Sequence, residues 1–219
     1  MTSASLPGRY PEVYAAASRD PDAFWLEAAR ALDWNRLPDR AFDPDSGPYG
    51  RWFPDGELNA CHNAVDRHAD GGRREQVAIR YDSPVTGTKR AITYGQLQDE
   101  VATLAAVLVD LGVRKGDRVV IYMPMVPEAM FAMLACARLG AIHSVVFGGF
   151  AANELAVRLD DARPKVVLAA SCGIEPSRTV AYKPLLDAAI GMAAHAPDFC
   201  LILQRPQCAA ALAEGRDRD

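Results

Sequence analysis

No apolar run in the 219-residue sequence is long enough to cross a bilayer. A long one, Ala129–Ala137, is closed by Glu128 and Arg138, whereas a spanning helix needs about 20 apolar residues. Met1–Tyr10 lacks both the basic start and the apolar centre of a secretory signal peptide. A soluble cytoplasmic protein with no membrane partner is expected. Basic residues are not in excess either: 24 Lys and Arg stand against 28 Asp and Glu, a net charge of −4, and they are scattered among acids. No nucleic-acid partner is therefore expected. The five cysteines are odd in number and show no C-x-x-C spacing, which argues against a disulfide framework and against a zinc site. Cys136 and Cys200 sit in apolar segments as small core residues, while Cys172 is expected in a loop as the most accessible thiol. His62, His68, His143 and His195 are isolated or six apart, a poor pattern for a metal, and none is expected. No G-x-G-x-x-G follows the first strand and no acid ends a second strand at the required distance, which disfavours a nicotinamide-dependent oxidoreductase.

Half of the residues are hydrophobic and 24% are charged, which excludes disorder of the whole chain. From Tyr10 to about Asp70 the sequence sets Phe24, Trp25, Trp34, Trp52 and Phe53 among Pro and Asp, an extension rather than a repeating strand and helix unit. Tyr10–Ser18 and Pro21–Leu32 read as two short helices, the second capped by Asp20 with Pro21 in its first turn. Asp43–Gly50 is a turn-dense connector. Leu58–His68 reads as a helix with Leu58, Cys61, Val65 and His62 as its inward candidates. The expected organisation is an N-terminal cap over 1–75 and an α/β subdomain over 76–219.

Within the second part, Val77–Tyr81 and Thr88–Ile92 read as a hairpin joined through S-P-V-T-G. Thr93 caps a helix to about Leu111, with Leu97, Val101, Leu104, Ala105 and Leu108 on one face and Gly112 as its stop. Strand Val119–Tyr122, helix Glu128–Leu139 and strand Ile142–Val146 follow, the helix apolar on nearly every face. Tyr122, Met123, Met125, Met130 and Met133 are expected as packing residues. A helix from about Ala151 to Asp161, strand Lys165–Ala170, a helix from about Tyr182 to Ala194 and strand Phe199–Gln204 complete the alternation. It predicts an α/β fold with a parallel sheet, whose ligands gather where strands end and helices begin.

Two segments leave the carboxyl ends of strands expected to be neighbours: F-G-G-F at Phe147–Phe150 and S-C-G-I-E-P-S-R at Ser171–Arg178. Gly148 and Gly149 precede a helix and would let an anion or a flat ring approach the backbone. Arg178 could grip a phosphate with two N–H groups. Each feature alone has a plainer reading, the glycine pair as a positive-φ requirement and the arginine as a solvated charge.

The words Y-M-P-M-V-P-E-A and M-L-A-C-A-R-L-G-A-I-H-S-V-V-F-G-G-F, with W-F, L-N and N-A-V-D-R-H earlier, resemble the AMP-forming acetyl- and propionyl-CoA synthetases. C-G-I-E-P-S-R and Y-K-P-L-L-D-A-A-I are more similar to the propionyl-CoA type. The resemblance implies the adenylate-forming synthetase fold. It also implies activation of a short-chain carboxylate by ATP with Mg²⁺, followed by acyl transfer to coenzyme A, with propionate favoured and acetate next. It places Phe147, Gly148 and Gly149 on the adenine and ribose side of coenzyme A. Glu175, Pro176, Ser177 and Arg178 form the second loop, with Arg178 meeting the 3′-phosphate. Glu175 departs from the family's first loop arginine and would repel phosphate unless it faces away or bonds to ribose. The family's S-G-[ST]-T-G-x-P-K loop, its ribose aspartate and its C-terminal lysine are not in these residues, so no catalytic residue is assigned. The chain is expected to be the amino-terminal part of a synthetase, inactive alone and wanting the C-terminal portion as its partner. The rival reading is a stand-alone coenzyme A-binding or regulatory module without catalysis.

Overall fold

The computed structural model describes residues 8–149 and 151–219. Met1–Pro7 and Phe150, which closes the F-G-G-F word, lie outside the described residues. The chain divides into two compact units, Met1–Asn59 and Ala60–Asp219.

In the first unit α1 spans Tyr10–Arg19 and α2 spans Pro21–Ala29. The Asp20 carboxylate accepts from the Ala23 amide at 3.0 Å and Pro21 opens α2, as a helix start requires. A two-residue pair, β1 (Phe42–Asp43) and β2 (Arg51–Trp52), runs antiparallel. The aromatics pack largely on one another: Trp52 contacts Trp25, Phe42 and Phe53, and Phe53 contacts Trp34. Such edge-on and tilted contacts suit the ring quadrupoles.

The second unit opens with a helical stretch over 60–73 in which His62–Asp66 and Ala69–Arg73 wind as wide π-type turns. Cys61 and Val65 are buried, while Leu58 and His62 are half-buried. β3 (Val77–Ser83) and β4 (Thr88–Thr93) then form the expected antiparallel hairpin. α3 (Tyr94–Asp110) starts from a reciprocal cap: the Gln96 amide donates to Thr93 Oγ1 at 3.2 Å and the Thr93 amide donates to Gln96 Oε1 at 2.9 Å. Gly112, with φ of +85°, follows its end. Thr93→Ala should lower stability by about 1 kcal/mol, read as an earlier urea midpoint at unchanged slope. An unmoved midpoint would count against the cap.

β5 (Arg118–Met123), α4 (Pro127–Leu139), β6 (Ile142–Phe147), α5 (Ala152–Ala162) and β7 (Val166–Ala170) continue the alternation. After β7 comes a short antiparallel hairpin of β8 (Cys172–Glu175) and β9 (Arg178–Ala181). Then follow α6 (Tyr182–Met192), β10 (Phe199–Leu203) and β11 (Asp217–Arg218). Five strands form one parallel sheet in the order β11-β10-β7-β5-β6. The fold class is as expected, α/β around a parallel sheet with helices ahead of it.

Side chains alternate across the sheet and so divide the core in two. Val119, Ile121, Val166 and Leu168 face one cluster with Leu97, Val101 and Leu108 of α3 and Phe131 and Ala135 of α4. Val120, Tyr122, Val167, Ala169 and Ile202 face the other, with Leu155 and Leu159 of α5 and Leu186 of α6. Two of the expected packing residues differ: Met125 is 92% exposed in the turn after β5, and Met130 lies on the outer side of α4. Cys172 is also corrected. It is fully buried within β8, where burial pushes its thiol pKa up, and Cys208 is only partly buried.

The charged residues Asp217 and Arg218 add β11 beside β10, at one edge of the sheet. What holds it is a buried ionic cluster. Asp217 Oδ2 lies 2.9 Å from Lys183 Nζ and accepts from the Ala213 amide at 2.8 Å, and Asp217 Oδ1 lies 2.7 Å from Arg216 Nε. Lys183 also pairs with Asp187 at 2.6 Å. Among the described residues no helix is long and apolar enough to cross a membrane.

Candidate functional site

Parallel pairing sends the carboxyl ends of β5, β6, β7 and β10 to one rim of the sheet. β6 and β7 are not neighbours, because β5 lies between them. The expectation of adjacent strands is corrected, since strand order is a tertiary property that alternation along the chain does not encode. The shared rim survives, and Phe147, Gly148 and Gly149 line a cavity of about 420 Å³ together with Glu175. Pro176, Ser177 and Arg178 are exposed and do not line it.

The segment expected as a loop over Ser171–Arg178 is largely the β8–β9 hairpin, with Pro176 and Ser177 at its tip. Glu175 and Arg178 are cross-strand partners there, and Arg178 Nε donates to Glu175 Oε2 at 2.7 Å. The carboxylate therefore meets its own arginine first, and this hydrogen bond raises the Arg178 pKa. Both side chains are well exposed, so the pair itself adds little stability.

Gly148 and Gly149 are not among the glycines with positive φ. Space explains Gly148 instead. A Cβ on Gly148 would lie 2.7 Å from the Tyr182 ring and hydroxyl and 3.0 Å from the Met123 carbonyl oxygen. A Cβ on Gly149 would lie 2.7 Å from the Phe147 ring. Close approach requires glycine at 148, whereas at Gly149 the neighbour is the exposed Phe147 ring; the N-cap of α5, Ala151, supplies no side-chain acceptor.

Tyr182 was not singled out by sequence reasoning, yet it joins the two rim segments. A Cβ on Gly173 of β8 would lie 2.4 Å from the Tyr182 hydroxyl oxygen and 2.5 Å from Cζ. Its ring lies between glycines from both segments and packs on Tyr122, with centroids 5.1 Å apart. Burial raises the pKa of both phenols, that of Tyr122 to about 12, so both remain protonated near neutrality. Arg205 was missed as well. It follows β10 on the same rim and lines the cavity. The rule that ligands meet carboxyl ends of parallel strands would have found it had β10 been included.

Two family models match the chain: "AMP-binding enzyme" over residues 65–216 and "Acetyl-coenzyme A synthetase N-terminus" over residues 10–64. The human protein "Acyl-CoA synthetase short-chain family member 3, mitochondrial" is 50% identical over 99% of the chain and 32% of its own length. The "Propionate–CoA ligase" of Salmonella typhimurium is 46% identical over 96% of the chain and 33% of its own length. The chain thus spans about a third of the length of the curated relatives it matches. Among solved structures, the "Acetoacetyl-CoA Synthetase from Streptomyces lividans" superposes with a TM-score of 0.79 at 24% identity, covering 97% of this chain and 34% of that one. That likeness speaks for the fold alone. With the AMP-binding model covering most of the sequence, directly after the acetyl-coenzyme A synthetase segment, the chain belongs to the AMP-binding enzyme family.

Proposed function

We propose that this chain is the amino-terminal part of a short-chain acid–CoA ligase, acting on propionate in preference to acetate. In the whole enzyme a carboxylate oxygen attacks the α-phosphorus of ATP and pyrophosphate leaves, giving an acyl-adenylate. The thiol of coenzyme A then attacks the acyl carbon and AMP leaves. The residues of this chain supply the sheet and one rim for the nucleotide end of coenzyme A. Phe147, Gly148 and Gly149 offer backbone and an exposed ring at the cavity. Glu175 lines it from the hairpin, and Pro176, Ser177 and Arg178 stand exposed beyond it, with Arg178 available to a 3′-phosphate once it exchanges its Glu175 partner. Among the described residues no group of three or more His, Cys, Asp or Glu is placed to hold a metal ion. No residue of this chain is therefore assigned to the magnesium that accompanies ATP, and no step is derived through it.

The observation that carries the reading is the convergence of the Phe147–Gly149 segment and Glu175 on one cavity at the carboxyl rim of a parallel sheet. The matched relatives are named for short-chain acyl groups and for propionate. In a calorimetric titration the 219-residue chain should bind coenzyme A and bind 3′-dephospho-coenzyme A more weakly. Supplied with ATP, Mg²⁺, propionate and coenzyme A, it should release no pyrophosphate above a heat-treated control. Absence of coenzyme A binding would overturn the rim assignment. Pyrophosphate release would overturn the division of labour.

A further inference from the structure

The cavity at the carboxyl rim has two acids and one arginine among its described lining residues: Asp82, Glu175 and Arg205. Each acid already has a cation outside the cavity. Asp82 pairs with Lys89 at 2.9 Å, and Glu175 pairs with Arg178 at 2.7 Å. Arg205 is different. It is half-buried, and its guanidinium donates through Nη1 to the neutral Cys172 carbonyl at 3.0 Å. No carboxylate among the described residues pairs with it. A guanidinium has five N–H donors and stays charged at any physiological pH, so this side chain brings to the cavity wall a positive charge that no described carboxylate pairs with.

The wall is also braced. The Arg205 amide donates to Ser171 Oγ at 2.9 Å, and its carbonyl accepts from the Cys208 amide at 3.1 Å. Around it stand Met123, Val126, Phe147 and Tyr182, an apolar and aromatic lining suited to a flat ring.

We propose that Arg205 is the inner anion contact of this cavity, holding a phosphate of a phosphorylated nucleoside whose base lies against the apolar wall. The assignment rests on reading the cavity as the berth of the nucleotide end of coenzyme A, and adds to that reading a cation that neither rim segment contains. Arg178 is then the outer contact, in competition with Glu175, and Arg205 the inner one, with no ion-pair partner among the described residues.

The test titrates the 219-residue chain with inorganic pyrophosphate, adenosine and adenosine 3′,5′-bisphosphate by calorimetry, in the native sequence and in Arg205→Ala, Arg205→Lys and Arg178→Ala. Arg205→Ala should weaken both phosphorylated probes by roughly ten- to a hundredfold, the worth of one charge-assisted hydrogen bond, and leave adenosine unchanged. Arg205→Lys should recover part of the loss. Loss of adenosine binding in step with the other two would overturn the proposal, because Arg205 would then be holding the wall through Cys172. Loss confined to Arg178→Ala would overturn it while leaving the nucleotide reading intact. Pyrophosphate that binds through Arg205 while the bisphosphate binds no better would support the anion contact and sink the nucleotide reading. No binding of any probe would overturn both. Because Arg205→Ala also removes a bond to the hairpin, the native chain supplies a second measure. Its Arg205 Nε–H resonance should shift on adding pyrophosphate, and an unmoved resonance overturns the contact.

Discussion

Replacing Asp217 with alanine should cost the chain about 3–5 kcal/mol, the range found when one partner of a buried ionic group is removed. Its side chain is fully buried and that of Lys183 is only 5% exposed. The two carboxylate oxygens hold Lys183, Arg216 and the Ala213 amide at 2.7–2.9 Å. Alanine would leave that amide without its acceptor and Lys183 relying on Asp187 alone, with β11 released from β10. Burial by itself would raise the Asp217 pKa, but the Arg216, Ala213 and Lys183 hydrogen bonds outweigh it and hold the carboxyl at about 2, below the ordinary 3.8. A depressed carboxyl stabilises the fold above its unfolded pKa and loses that contribution as pH falls through the folded one. About 2 kcal/mol should therefore disappear between about pH 4 and pH 2. Urea denaturation of the native chain and Asp217→Asn across that interval measures it, with the two curves converging at the acid end. A difference that stays constant with pH would show that the cluster acts by packing rather than by charge.

The sheet itself was legible because its residues obey a local rule. Val119 and Ile121 face one core and Val120 and Tyr122 the other, and a strand buried on both faces reads as an unbroken apolar run. Thr93 and Gly112 marked the ends of α3 for equally local reasons. The missed elements depend on partners distant in sequence. D-R-D looks like a solvated tail until Lys183 of α6 supplies Asp217 with a counterion. The β8–β9 hairpin turns at Pro176 and Ser177, without the Asn-Gly or Gly-Gly signal that announces a two-residue turn, so Glu175 and Arg178 were not seen as paired. The same dependence explains the rim. Gly148 and Gly149 were noticed, but whether Gly148 served conformation or space could only be settled by Tyr182, which lies in another segment.

That tyrosine carries the second large expectation. Gly173→Ala should lower stability by about 1–3 kcal/mol through overpacking. The added methyl would meet the Tyr182 hydroxyl oxygen, Cζ and Cε1 at 2.4, 2.5 and 2.7 Å, and the ring has little room to retreat. Gly148 closes its other approach, with a site for Cβ only 2.7 Å from the ring, and Tyr122 packs on it. Removing the hydroxyl should not relieve the clash, because Cζ remains at 2.5 Å, so Gly173→Ala should be as harmful in a Tyr182→Phe background as in the native one. Tyr182→Leu should cost several kcal/mol by itself, since a large buried ring is lost. In that background, however, the methyl added by Gly173→Ala enters vacated space and should cost almost nothing. The double-mutant cycle between Gly173→Ala and Tyr182→Leu should then report a coupling of about 1–3 kcal/mol, while the cycle with Tyr182→Phe reports close to zero. Additive losses with leucine would mean that the ring yields to the methyl without strain, and that Tyr182 does not tie the hairpin to the glycine segment of the rim.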